Sequence, residues 1–159
     1  MPYDGGNIYK IRREQAGLTQ EHAAELLGCS VRALARYESG EVLPSDYIAR
    51  RMDDLYNNHF LSYEHLRQTS QVAAELLPPV EDNGFPAAVI EFIRLSICGE
   101  IDEVGQELLR FAEDGRLDPE ERERFKTKVL PVLDRITKAA TEVRLAAGKD
   151  IGQAGQDAP

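Results

Sequence analysis

The sequence predicts an all-α protein: a small N-terminal helical bundle followed by a long helical hairpin. Three observations carry this. There is no sustained alternation of apolar and polar residues and no Asn-Gly turn between β-branched runs, so strand signals are missing. Up to about residue 67, apolar residues recur at helical spacing in short stretches separated by closely spaced caps and turns. Beyond residue 86, two long helical patterns follow one another across one turn.

Composition bounds the possibilities. The 159 residues suffice for one ordinary domain or a small domain with an accessory one. With 42% apolar and 30% charged residues the composition is that of a globular protein, not a disordered one. No apolar run approaches the roughly 20 residues of a membrane span. The first residues (Met1-Pro2-Tyr3-Asp4-Gly5-Gly6) show no basic-then-apolar signal pattern, and a cytoplasmic location is the expectation. Cys29 and Cys98 are far apart, with no metal-ligating spacing, which agrees with a reducing compartment. The net charge is −9, and residues 1–57 hold seven basic against nine acidic residues. Any contact with phosphates must then depend on where the arginines sit rather than on bulk charge.

In chain order, helix 1 is expected from about Asn7 to Ala16. Thr19 caps a second helix, whose Ala23, Leu26 and Leu27 form one apolar face. Gly28 supplies the left-handed residue that stops it. Ser30 caps a third helix with Leu34 and part of Tyr37 inward, ended by Gly40. Ala23 and Ala24 are small enough to let the second and third helices approach closely. Two such helices bury little alone, so helix 1 and a fourth helix, about Asp46 to Tyr56, complete the core. A domain over 1–67 results. Residues 68–86, with a short helix and then Pro78-Pro79 and Asp82-Asn83-Gly84, read as a linker.

The stretch Arg13, Gly17-Leu18-Thr19-Gln20, Ala23-Ala24, Leu26-Leu27-Gly28, Ser30 and Tyr37-Glu38 with Gly40 resembles the signature of the Cro/repressor-type, or Xre, helix-turn-helix family over residues 8–57. The resemblance implies a DNA-binding transcriptional regulator of prokaryotic or phage type, with double-stranded DNA as partner and no cofactor. It implies that the third helix enters the major groove. Val31, Arg32, Ala35 and Arg36 would then face bases, an arginine reading guanine O6 and N7 and Val31 a thymine methyl. Thr19, Gln20 and Ser39 would meet phosphates. Arg13 and Glu38 match a pair that joins helix 1 to the end of the recognition helix, a structural role. Where relatives place Lys or Arg after the glycine, this chain has Glu41-Val42-Leu43-Pro44.

In the second zone, 87–147, Val89, Ile93, Ile97, Ile101, Val104, Leu108 and Phe111 form one pattern crossing Gly99 and Gly105. It reads as one long helix, with a break near Gly99 as the alternative. Asp114-Gly115 end it. Asp118 and Pro119 then start a second helix, whose Phe125, Val129, Val132, Ile136, Ala139, Val143 and Ala146 make a heptad seam. Pro131 should kink this helix. Each arm would be about 40 Å long. One hairpin leaves Ile90, Phe92, Leu95, Leu130 and Leu133 uncovered, so a homodimer through a four-helix bundle is expected, with Phe125, Val129, Val132, Ile136 and Val143 as its seam. Packing onto the first domain is the alternative. The tail 148–159 lacks periodicity and reads as flexible.

Other constellations carry no chemistry. The run from Asp114 to Glu121 has the second half of a calcium loop, but Arg110 and Ala112 stand where its first ligands belong. His59 and His65 are six apart, on different helix faces, so no shared metal is expected. Cys29 and Cys98 read as small core residues and His22 as an exposed one. No nucleophile–base pair or phosphate-binding glycine loop is present, so the protein is not expected to be an enzyme. The rival of another class keeps the fold but binds a protein instead of DNA, as an antirepressor or antitoxin would; the missing basic residues after Gly40 and the overall acidity favour it.

Overall fold

A computed structural model describes residues 7–112 and 118–154, the last six of these by backbone alone. The turn read at Asp114-Gly115, and the calcium-like run Asp114 to Leu117, lie outside the described residues. The elements are α1 (Ile8–Gln15), α2 (Gln20–Leu27), α3 (Val31–Glu38), α4 (Asp46–Tyr56), α5 (His59–Thr69), α6 (Gln71–Leu76), α7 (Phe85–Ile97), α8 (Glu100–Ala112), α9 (Pro119–Arg124), a π turn (Phe125–Val129) and α10 (Leu130–Ala154). Among the described residues there is no strand, and no helix is long and apolar enough to cross a membrane. The protein is all-α.

Contacts divide the chain into two compact units. Residues to Leu77 form one together with those from Ala147, and Pro78–Ala146 form the other. In the first unit the local signals act as their chemistry requires. Asn7, Thr19, Ser30 and Ser45 each accept a backbone N–H in the first turn of the helix they precede. Gly28, at φ 66°, ends α2 in the left-handed region. Ile8, Tyr9, Ala23, Ala24, Leu27, Leu34, Ala49, Met52, Tyr56 and Leu61 make the core. Leu26, expected on the inward face of α2, is exposed, and Ala24 takes its place because α3 and α4 approach on that side.

The helix α5 is bolted to its neighbours by buried polar groups. Asp53, fully buried, accepts from His59 Nδ1 at 2.9 Å and from the Ser62 amide at 3.1 Å. Tyr9 donates its hydroxyl to His65 Nδ1 at 2.7 Å, and His65 Nε2 donates to Asp46 at 3.0 Å. Burial pushes the Tyr9 phenol up to about 12. Each histidine thus holds a carboxylate of α4. Arg67 Nε donates to the Leu77 carbonyl at 3.0 Å, so α6 folds back on α5 within the first unit.

In the second unit the first arm is two helices, not one. Gly99 takes φ 82° and separates α7 from α8. Ala88 and Leu95 are the inward residues of α7, while Ile93 and Ile97 point to solvent. The reason lies in the spacing. Steps of four residues advance roughly 40° around a helix each time, so Val89, Ile93 and Ile97 do not stay on one face. Ala88 and Leu95, seven apart, do. Cys98, expected in the core, is exposed just past the end of α7.

Asp118 and Glu121 form a reciprocal capping box that starts α9, with Pro119 in its first turn. Ahead of Pro131 the helix widens to the π turn, in which Leu130 N reaches back to the Phe125 carbonyl. Proline has no N–H and crowds the carbonyl four residues before it, and a wider turn relieves this. The expected seam is largely used inside the chain: Val129 is fully buried with Val104 and Phe111, and Phe125, Val132 and Leu133 pack against them. The Phe111 and Phe125 rings are 6.3 Å apart. Ile136 and Val143 are half-buried. A seam read as intermolecular is therefore occupied, over Phe125 to Val132, by the protein's own α8. Arg135 pairs with Glu100 at the other end of that contact.

The stretch after Leu77 is not a free linker. Val80 is buried, the Glu81 amide donates to Glu142 at 2.8 Å, and the Glu81 carboxylate pairs with Lys138 at 3.2 Å. Helix α10 runs to Ala154, past Ala146 where the apolar pattern stops.

The two glycines of the first arm should respond oppositely to alanine. Gly99→Ala forces a left-handed alanine and should destabilise the second unit by about 1–2 kcal/mol. Gly105 is helical with nothing within 4 Å of an added Cβ, so Gly105→Ala should stabilise by up to about 1 kcal/mol. Urea unfolding of both variants measures this; equal signs would mean that Gly99 does not hold the break.

Candidate nucleic-acid interface

Helix α3 meets α2 through small residues and one leucine. Ala23, Ala24 and Leu27 on α2 and Leu34 on α3 are essentially solvent-free. Close approach of the two helices needs the alanines, and the tight Gly28-Cys29-Ser30 turn joins them. With Leu34 inward, the opposite side of α3 is left to solvent. Val31 is 39% exposed there, Arg32 and Arg36 are exposed, and Ala35 is half-buried. Arg32 makes no ion pair or hydrogen bond among the described residues. Arg36 is held: its Nε donates to Glu41 Oε1 at 2.9 Å.

The far end of α3 is anchored by charge. Arg13 Nε lies 2.6 Å from Glu38 Oε1 and its NH2 lies 3.0 Å from Oε2, a two-point bridge between α1 and α3. Arg13 NH1 donates to the Leu18 carbonyl at 2.6 Å. Both side chains are buried. The hydrogen bond with Glu38 holds the Arg13 guanidinium above its ordinary pKa. The neighbouring Tyr56 hydroxyl is buried without a hydrogen-bond partner among the described residues, and burial, then the Glu38 charge, raise its pKa.

The three residues expected at phosphates differ in what they are free to do. Thr19 is exposed and caps α2, its hydroxyl accepting from the His22 amide at 3.2 Å. Gln20 is half-buried and donates its amide to Glu38 Oε2 at 2.8 Å, so its side chain serves the buried pair rather than the solvent. Glu38 Oε2 thus accepts from Gln20 as well as from Arg13. Ser39 donates to the Arg36 carbonyl at 3.1 Å and accepts weakly from the Glu41 amide at 3.4 Å, which commits it to the turn.

Three further residues support the interface. Asn7 accepts from Tyr9 N and donates to the Tyr37 carbonyl at 2.7 Å, starting α1 and finishing α3 with one side chain. Arg51 on α4 donates to the Leu27 and Leu26 carbonyls at 2.7 and 3.0 Å, closing the C-terminal end of α2. Glu41 sits across the turn from Arg36. Among the described residues no group of three or more His, Cys, Asp or Glu could hold a metal; His59 and His65 bond to separate partners.

Residues 10–58 match the family described as a helix-turn-helix domain. The match runs from within α1 through α4 and so includes the α2–turn–α3 unit and the Arg13–Glu38 bridge. No curated protein and no solved structure matches the chain.

The buried bridge should be a stability element. Glu38→Ala strands the Arg13 guanidinium and should cost about 3–5 kcal/mol, while replacing Arg13 and Glu38 together by apolar residues should cost much less. Denaturant unfolding measures both, and equal costs would show that no buried charge was stranded.

Proposed function

We infer that the protein is a sequence-specific transcriptional regulator of the Cro/repressor type that binds double-stranded DNA as a dimer in the cytoplasm. The observation that carries this is the α2–turn–α3 unit within a helix-turn-helix domain, with Val31, Arg32, Ala35 and Arg36 gathered on the outward side of α3. In such units the second helix lies in the major groove. A bidentate arginine reads guanine, and Val31 suits a thymine methyl. The exposed Thr19 and the free amides that open α2 suit a phosphate.

A dimer belongs to the reading because one acidic domain alone would bind weakly. Joining two domains raises the effective concentration at the second half-site. The surface that suits a second copy is a stripe on α7. Ile90 and Ile97 are 66% and 78% exposed, Ile93 lies between them, and all three stand about half a turn around the helix from the inward Ala88 and Leu95. Leu109 on α8 is 73% exposed.

Selection of binding sites from random duplexes is the test. An enriched site supports DNA recognition, and Arg32→Ala should then cost about 1–3 kcal/mol on that site and relax the preference at one base pair. Uniform loss on all sequences would move Arg32 to the phosphates. A second reading, protein binding on the same fold, is favoured by one observation: Glu41 covers part of Arg36. Failure to enrich any site would promote it.

The dimer surface has its own check. Ile93→Glu with Ile97→Glu changes only exposed positions, so folding should persist while light scattering shows a monomer and binding to the selected site falls. A full-length chain that is already a monomer at tens of micromolar (a rough ceiling for a useful dimer) would rule the dimer out.

A further inference from the structure

Arg36 does not swing freely from α3. The turn after the helix is built so that Glu41 faces it. Gly40 takes φ 75°, and the Val42 amide returns to the Arg36 carbonyl at 3.3 Å. The Ser39 hydroxyl donates to that same carbonyl and receives the Glu41 amide. The Glu41 carboxylate then takes Arg36 Nε at 2.9 Å. The two terminal nitrogens of Arg36 have no partner among the described residues.

A guanidinium carries five donors in one plane. Fixing Nε fixes that plane and leaves the NH1–NH2 fork, the edge that matches two acceptors side by side. In the major groove, O6 and N7 of guanine are such a pair. The two side chains are 48% and 60% exposed, and exposed pairs of this kind contribute little to folding. The consequence of the contact lies in orientation, since an arginine already ordered loses less freedom when it binds. The carboxylate also repels phosphates, which lowers binding to every sequence alike.

We propose that Glu41 is a positioning residue for base recognition, holding Arg36 through Nε so that its terminal fork reads a guanine, while its charge lowers the backbone attraction that every sequence shares. This rests on the DNA-binding reading above and adds the residue that orients Arg36 toward its base.

The test is a site selection with the full-length protein, its Glu41→Gln, Glu41→Ala and Arg36→Ala variants, each also measured on a duplex lacking the selected site. The wild type should enrich a site with guanine at one position, the position that Arg36→Ala relaxes. Glu41→Gln keeps an acceptor for Nε but no charge, so the guanine preference should remain while binding to the unrelated duplex rises. Glu41→Ala has no acceptor, and its preference for that guanine should fall by roughly 3–10-fold. If the Gln and Ala variants strengthen binding to both duplexes by one factor and keep the guanine, Glu41 is only a repelling charge and the proposal is overturned. Should the wild type enrich no site, the DNA-binding reading falls first and takes this proposal with it.

Discussion

Glu38 stands where three helices of the first unit meet, and its bridge to Arg13 sets the attitude of α3. Arg13 comes from α1, Gln20 from the first turn of α2, and Glu38 from the last turn of α3. Arg13 also holds the Leu18 carbonyl, so the turn between α1 and α2 is tied to the same point. A buried ion pair of this sort adds little net stability, because desolvation offsets most of the attraction. It punishes alternatives instead: any arrangement that separates the two groups leaves a charge stranded. Apolar packing of Ala23, Ala24, Leu27 and Leu34 would tolerate some sliding of α3 along α2. A two-point bridge would not. The outward residues of α3 owe their fixed direction to this combination, packing for the distance between helices and charge for their angle.

What the sequence made legible was local, and what it hid was long-range. Thr19, Ser30, Gly28 and Gly40 declare their roles within three or four residues, because caps and left-handed glycines act on their nearest backbone groups. Ser45 and the left-handed Asn57 bound α4 in the same way. The bond from Gln20 to Glu38 was not legible, because its partner is eighteen residues away. Asn7 to Tyr37, Arg51 to Leu27 and Tyr9 to His65 span still longer separations, and nothing in local spacing announces them. In the second unit the apolar pattern was real but its phase was not. Four-residue steps drift around the helix, and Gly99 resets the register, so Leu95 is inside and Ile97 outside. The heptad seam of the last helix was legible as a seam; what it lacked was a label saying that the chain itself supplies its partner in α8.

The acidity of the protein becomes intelligible in the same terms. Non-specific affinity for DNA grows with the number of phosphates neutralised, and here few cations face outward on α3, one of them already paired. A domain of this kind gains little from the duplex as a polyanion. On the DNA-binding reading proposed above, discrimination would come from a small number of directional contacts and from presenting them in duplicate. Directional contacts require a fixed helix, which the Arg13–Glu38 bridge provides; presenting them twice calls for a second copy, for which the solvent-facing isoleucines of α7 offer a surface. The two requirements fall on separate units of the chain. The proposed role of Glu41 belongs to the same logic: a carboxylate beside Arg36 would weaken attraction to the backbone, which every sequence shares, while leaving the terminal fork open to a guanine edge.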